Sequence, residues 1–147
     1  MMRGYDFIWR LARPLLPLML AWRARSGKED AARLTERFGR YDHRDNLPDD
    51  PLWIHAVSVG ETVAGIALAE AIRKTGETAP ILMTTNTVTA AARVAALPAS
   101  LGVTHLYQPL DHPDMVAAFL HRIRPRIGLF LESDFWPTLI TATAAGG

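Results

Sequence analysis

The stretch Trp-Ile-His-Ala-Val-Ser-Val-Gly-Glu at residues 53–61 decides the fold class of this chain. An apolar strand runs directly into a turn of small residues, and a helix begins at the end of that turn. This pattern is typical of an open α/β sheet, in which ligands bind beyond the carboxyl ends of the strands. The first N–H groups of a helix have no partner within the helix and can face a ligand. The stretch therefore predicts a binding edge but does not indicate its ligand.

Strands and helices alternate four times from this point to the end of the chain. The predicted strands cover 52–58, 80–85, 103–107 and 127–132, and the predicted helices cover 61–74, 89–97, 113–123 and 136–145. The strands are almost continuously apolar, which favours a parallel sheet with helices on both faces. The sequence thus predicts a Rossmann-like α/β fold. In the first of these helices we expect Val63, Ile66, Ala67 and Ala71 to share the buried face.

The composition excludes several classes of protein. The 147 residues suffice for one domain with a core, and the absence of cysteine excludes disulfides and thiolate metal sites. The turn at 58–65 lacks the spacing G-x-G-x-x-G, and the chain contains no G-x-x-x-x-G-K-[ST]. A dinucleotide-dependent oxidoreductase and a P-loop enzyme are therefore disfavoured. We expect no nucleic acid partner.

The N-terminal region differs from the rest in charge and hydropathy. Residues 1–40 hold nine basic and four acidic side chains, whereas the remainder holds seven basic and eleven acidic ones. Residues 5–22 are mostly apolar and helical in pattern, with an expected kink at Pro14 and Pro17, and the uninterrupted run 14–22 is too short to span a bilayer. Trp9 and Trp22 with flanking arginines favour a membrane-associating helix over residues 1–27. The alternative is a helix packed on its own domain.

A short polar helix is predicted over residues 28–40, where Gly39 is the expected stop. From its position alone, Glu36 is expected to be an exposed glutamate on this helix, with Arg33 and Arg37 as surface charges beside it. Together with the earlier arginines, Arg33 and Arg37 suit a phosphorylated ligand.

Polar side chains follow each predicted strand and should converge at one edge of the sheet. Each has a structural alternative: His55 as a core histidine, Glu61 as a charge at a helix N-terminus, and Glu132 as an acidic cap of the last helix. Asp111 is equally typical of a turn before Pro113. The candidates at the strand ends are His55, Ser58, Glu61, Thr84, Thr85, Asn86, Thr87, Gln108, Asp111, Glu132, Ser133 and Asp134.

Three motifs together resemble one family. They are the stretch 55–61 (His-Ala-Val-Ser-Val-Gly-Glu), the stretch 132–137 (Glu-Ser-Asp-Phe-Trp-Pro) and the stretch 35–39 (Thr-Glu-Arg-Phe-Gly). Their order and spacing, with the basic and apolar N-terminus, are similar to those of the 3-deoxy-D-manno-octulosonic acid (Kdo) transferases of lipopolysaccharide synthesis.

The resemblance implies a GT-B glycosyltransferase that transfers Kdo from CMP-Kdo to a lipid A precursor, lipid IVA, at the cytoplasmic face of the inner membrane. It implies inversion at the anomeric centre, with neither a metal nor a cofactor. By the same resemblance, Glu36 is the catalytic base and Glu132 a second functional glutamate. The acceptor-side residues expected from it are His55, Ser58, Gly60, Glu61, Thr85 and Asp134.

The length of the chain leads to a further expectation. GT-B enzymes place their site between two Rossmann-like domains, so residues 28–147 are expected to form an incomplete acceptor-binding domain. CMP-Kdo would then require a second, C-terminal domain, and the 147 residues alone are expected to be inactive. Two alternatives stay open: a non-catalytic membrane-associated module that binds an anionic lipid, and the acceptor domain of another GT-B glycosyltransferase.

Overall fold

The computed structural model describes residues 2–42, 46–131 and 136–146, and the side chains from residue 4 onward within them. The chain divides into two compact units. A helical unit comprises residues 1–41, 109–122 and 135–147, and a sheet unit comprises residues 42–108 and 123–134. The functional boundary expected between residues 27 and 28 stays a prediction.

The sheet unit is built on four parallel strands. They are β1 (Leu52–Ala56), β2 (Ile81–Thr85), β3 (Val103–Tyr107) and β4 (Ile127–Leu131). Their order is β3-β2-β1-β4, and His55 of β1 lies opposite Thr84 of β2 and Phe130 of β4. The predicted Rossmann-like parallel sheet is confirmed. Because the chain runs outward from β1 to β3 and then returns to the other side of β1, the topological switch point lies between β1 and β4.

Helices α3 (Val59–Lys74) and α4 (Val88–Ala95) belong to the same unit. The predicted inner face of α3 is wrong in part, because Val63, Ala67 and Ala71 are exposed and only Ile66 packs against the core. The residues of α3 that are buried are Thr62, Gly65 and Ala69.

Close approach to the sheet explains which face of α3 is buried. A Cβ atom added at Gly65 would lie 3.2 Å from Ile54 Cγ2 and 3.2 Å from Leu131 Cδ1. Small residues therefore lie where this helix approaches the sheet most closely, while Ile66, Leu68 and Ile72 pack against the core beside them.

The helical unit begins with α1 (Met2–Ala12), a 3₁₀ turn (Arg13–Leu15) and α2 (Leu16–Arg25). The expected interruption is thus confirmed, with Pro14 inside the turn and Pro17 in the first turn of α2. A 3₁₀ helix follows at Ala31–Phe38, and the unit is completed by α5 (Pro113–Ile123) and α6 (Pro137–Gly146). The described part of the chain contains no helix long and apolar enough to cross a membrane.

One face of the N-terminal helices packs inward. Leu16 and Leu20 are buried in a cluster with Leu110 and Met115, against which Trp9 also packs. The opposite face is exposed, and Trp22 lies on it. The two tryptophans expected at a membrane surface therefore occupy different environments.

Candidate functional site

The turn after β1 is held by a capping box. Ser58 Oγ accepts a hydrogen bond from the Glu61 N–H at 3.3 Å, and Glu61 Oε2 accepts from the Ser58 N–H at 3.2 Å and from the Val57 N–H. This is the Ser-x-x-Glu device that satisfies free N–H groups at a helix start. Both side chains therefore fix the geometry of the predicted edge.

A cavity of about 410 Å³ lies at this edge, at the switch point between β1 and β4. A Cβ atom added at Gly60 would meet only Ser58 Oγ, at 3.9 Å, so Gly60 borders open space. Such a glycine lets a ligand approach the backbone at the N-terminus of α3. The cavity is lined by Ser58, Gly60, Glu61, Ala64, Phe130 and Leu131.

His55 lies behind the edge rather than in the cavity. Its side chain is buried, and Nδ1 lies 2.7 Å from Thr84 Oγ1, which accepts a hydrogen bond from Trp53 Nε1 at 2.9 Å. The imidazole ring also makes an edge contact with Phe130. His55 thus joins three neighbouring strands at the carboxyl end of the sheet.

Thr85 is also buried at the end of its strand. Its Oγ1 lies 2.9 Å from His105 Nε2, and its carbonyl accepts the Gln108 N–H at 3.1 Å. These contacts join the ends of β2 and β3. Of the residues predicted in the sheet unit, the structure therefore places Ser58, Gly60 and Glu61 around a cavity, and not Thr85.

Glu36 belongs to the helical unit, and the expectation that it is exposed is wrong. Its side chain is 0% exposed, and Arg33 donates to both of its oxygens, from Nε to Oε1 and from Nη2 to Oε2, each at 2.8 Å. The two residues are three positions apart, and the backbone of the 31–38 segment is kinked at Arg33, with φ −119° and ψ 15°. A carboxylate removed from water requires such a charge-assisted pair.

Arg37 is not a surface charge either, because it pairs with a second buried carboxylate. Arg37 Nε lies 3.3 Å from Glu29 Oε2, and Arg23 Nε donates to Glu29 Oε1 at 3.0 Å. Tyr41 lies close to this cluster. Burial, followed by the charge of Glu36, raises the pKa of its hydroxyl well above the usual range.

The motif ends at Gly39, which is held against α5. Its backbone is left-handed, with φ +71°, and an added Cβ atom would lie 2.6 Å from the Met115 carbonyl oxygen. The Arg37 carbonyl accepts the Leu110 N–H at 2.8 Å. Contacts on both sides of Phe38 therefore fix this end of the 35–39 motif to the segment that leads into α5.

Asp111 has a role that sequence analysis missed. Its buried carboxylate accepts hydrogen bonds from the Thr138 N–H at 3.1 Å, the Leu139 N–H at 2.8 Å and the Tyr5 hydroxyl at 2.8 Å. It therefore caps α6, the helix that begins at the end of the 132–137 motif, and connects it to α1. No local signal predicts this contact, because the capped N–H groups lie more than 25 residues further along the chain.

Glu132 and Asp134 lie outside the described residues. Within the described ranges, no three His, Asp or Glu side chains form a group that could hold a metal ion.

Comparisons with known proteins identify the chain. Residues 32–147 match the family described as 3-deoxy-D-manno-octulosonic-acid transferase (kdotransferase). The 3-deoxy-D-manno-octulosonic acid transferase of Bordetella pertussis is 37% identical over 144 residues, 92% of this chain and 33% of the relative. That of Rickettsia bellii is 34% identical over 145 residues, 98% of this chain and 34% of the relative.

A protein of Arabidopsis thaliana, named as a probable mitochondrial enzyme of the same kind, is 35% identical over 145 residues, 94% of this chain and 32% of the relative. The chain spans about a third of the length of these relatives. Because the family match covers most of the chain, it belongs to the 3-deoxy-D-manno-octulosonic acid transferase family, a family of glycosyltransferases.

Proposed function

We propose that this chain supplies the acceptor-binding domain of a GT-B enzyme that transfers Kdo from CMP-Kdo to a lipid A precursor such as lipid IVA. The observation that carries the proposal is the cavity at the switch point, because Ser58, Gly60 and Glu61 of the 55–61 stretch line it and lie within the residues that match the family. CMP-Kdo would be held by a second domain of the GT-B architecture. Without such a domain, the 147 residues would bind the acceptor but would not catalyse Kdo transfer.

The reaction requires one proton transfer and one displacement. A base removes the proton of an acceptor hydroxyl, the oxygen attacks the anomeric carbon of Kdo with inversion, and the bond from that carbon to the CMP phosphate oxygen breaks. Hydrogen-bond donors would stabilise the charge that grows on the departing CMP. The proposed step uses no metal or cofactor.

We assign the base to Glu36 by its place in the 35–39 motif, and a second role to Glu132. The role of Glu36 requires an acceptor hydroxyl to reach a carboxylate that protein atoms enclose in the present structure. Acceptor binding would therefore have to open access to Glu36 without removing Arg33.

The residues at the sheet edge would act in two ways on the acceptor side. Gly60 offers its backbone to the ligand, while Ser58 and Glu61 hold the turn that presents it. The buried His55 and Thr85 would support the edge from behind, and Asp134 would contribute from the 132–137 motif.

Glu29 provides a matched control for the test of Glu36, since it is also buried and ion-paired with arginine. In the full-length gene product, assayed with CMP-Kdo and lipid IVA, Glu36→Gln should lower kcat by about 10²–10⁴, as the loss of a general base does. Glu29→Gln should lower the free energy of unfolding but leave the kcat of the folded enzyme within a few-fold.

Equal losses of kcat in the two variants would exclude Glu36 as the base. A folded full-length product that binds anionic lipid but transfers no Kdo would favour the non-catalytic lipid-binding module. Transfer to a different lipid-linked sugar would favour the acceptor domain of another GT-B enzyme.

We further propose that α1 and α2 lie on the cytoplasmic face of the inner membrane. Seven apolar side chains on these helices and the turn between them are 41–72% exposed: Phe7, Ile8, Leu11, Leu15, Leu18, Met19 and Trp22. Arg10, Arg13, Arg23 and Arg25 lie among and beyond them, as is typical of helices in the headgroup layer of anionic bilayers. Leu18→Glu should then greatly reduce sedimentation with anionic vesicles, and unchanged sedimentation would exclude this surface.

A further inference from the structure

A second cavity, of about 520 Å³, lies within the helical unit beside the 35–39 motif. We propose that it holds the phosphorylated head of an amphiphilic lipid, a proposal that rests on the acceptor-binding role above and specifies where the anionic head is held. Its volume falls within the range of about 300–1,000 Å³ typical of small-molecule sites. The cavity is lined by Arg13, Pro17, Thr35, Phe38, Gly39, Arg40, Asp114, Met115 and Ala118.

The ion pairs of the helical unit determine which arginines can bind an anion. Arg33 is bound to Glu36, and Arg23 and Arg37 are bound to Glu29. The arginines that suit a phosphorylated ligand by sequence position, Arg33 and Arg37, are therefore engaged by buried carboxylates.

Two arginines line the cavity, Arg13 and Arg40. Arg40 is exposed and forms no ion pair with any residue in the described ranges. Arg13 contacts Asp114 through Nη1 at 3.2 Å, but both side chains are more than half exposed, and such pairs contribute little. Among the residues that the structure describes, Arg13 Nε and Nη2 remain as donors. Guanidinium groups bind phosphate oxygens through paired N–H donors, so phosphate is the ligand chemistry that these two arginines favour.

The apolar side of the cavity favours a lipid over free phosphate. A small hydrated anion would gain no favourable contact from the apolar side chains of the lining, which are Pro17, Phe38, Met115 and Ala118. Pro17 also lies between Leu15 and Leu18 in sequence, whose side chains are among the exposed apolar groups of the unit. An anionic head in the cavity would therefore leave its apolar chains next to an apolar surface.

The test compares two kinds of vesicle with matched surface charge. Phosphatidylcholine vesicles carry either phosphatidic acid, whose head is a phosphate monoester, or phosphatidylserine. Arg40→Ala should weaken binding to phosphatidic acid vesicles about tenfold, as expected for the loss of a paired charged contact, and binding to phosphatidylserine vesicles no more than about twofold. Arg25→Ala, at an exposed position outside the cavity, should weaken binding to both vesicles equally.

A second pair of variants tests the cavity without changing charge. Ala118→Phe fills it from α5, whereas Ala117→Phe adds the same ring at the neighbouring exposed position outside it. We expect only Ala118→Phe to reduce binding to phosphatidic acid vesicles.

Four results would overturn the proposal. Equal effects of Arg40→Ala and Arg25→Ala would indicate general surface charge, and equal effects of Ala118→Phe and Ala117→Phe would exclude the cavity. Arg40-dependent binding of inorganic phosphate as tight as that of phosphatidic acid would indicate a site for the free anion. Full-length protein that transfers Kdo normally while Arg40→Ala has no effect on phosphatidic acid binding would leave the proposed function intact and refute this inference alone.

Discussion

Replacing Gly39 by alanine is expected to lower the free energy of unfolding by about 2–5 kcal/mol, for two separable reasons. The first is the left-handed backbone, which costs an L-residue about 1–2 kcal/mol. The second is the new methyl group, placed 2.6 Å from the Met115 carbonyl oxygen and 3.2 Å from Ala118 Cβ. Backbone must move to accommodate it, at a cost of about 1–3 kcal/mol.

Gly27 allows the two contributions to be separated. Its φ of +69° nearly equals that of Gly39, but an added Cβ atom would meet nothing within 4 Å. Gly27→Ala should therefore lose only the backbone contribution, about 1–2 kcal/mol. The effect of Gly→Ala on the unfolded chain is common to both variants and cancels in the comparison.

The measurement is urea denaturation of the 147-residue protein, followed by far-UV circular dichroism. If the m-value is unchanged, the two midpoints should show that Gly27→Ala keeps a free energy of unfolding about 1–3 kcal/mol higher than that of Gly39→Ala. Equal losses would show that Gly39 does not pack against α5. The attachment of the 35–39 motif to that helix would then be refuted.

Two further predictions concern the other end of the helical unit. Asp111→Asn leaves one oxygen for three donors and should lower the free energy of unfolding, measured in urea, by about 2–4 kcal/mol. Tyr5→Phe removes only the hydrogen bond from α1 and should lower it by about 1 kcal/mol. Equal losses would contradict the capping of α6. Burial lowers the pKa of His112 below its usual value of 6.5, so as the pH falls below that value the unfolded chain binds a proton that the folded chain does not. Stability should therefore decrease from pH 7.5 to pH 5 less steeply in His112→Gln than in the unmodified protein, and identical pH dependence would exclude His112 as a source of that loss.

Local patterns in the sequence were sufficient for most of the sheet unit. Mostly apolar runs of five to seven residues predicted all four strands, because a strand buried on both faces needs no alternation of polar and apolar residues. The Ser58-to-Glu61 spacing is a local signal too, since a capping box involves only four consecutive residues. Gly39 ended its helix as predicted, although the helix is 3₁₀ rather than α.

Contacts between distant residues account for what sequence analysis missed. The inner face of α3 depends on how closely Gly65 approaches the sheet, which hydropathy does not reveal. Asp111 caps a helix that begins 26 residues later. The burial of Arg37 depends on Glu29, eight residues before it, as well as on the packing of the surrounding helices.

The two buried carboxylates of the helical unit call for different explanations. Buried ion pairs contribute little net stability, because desolvation offsets most of their attraction, and apolar residues of similar size often serve as well. Glu29 nevertheless has a structural role, since it joins Arg23 of α2 to Arg37 of the 3₁₀ helix. The pair between Glu36 and Arg33 spans three residues of the 31–38 segment, which is kinked at Arg33. Arg33 thus explains how a carboxylate is tolerated at position 36, but not why a carboxylate is there. The comparison of Glu36→Gln with Glu29→Gln tests the proposed chemical role of Glu36, because both variants change a buried carboxylate that pairs with arginine and only the first removes the proposed base.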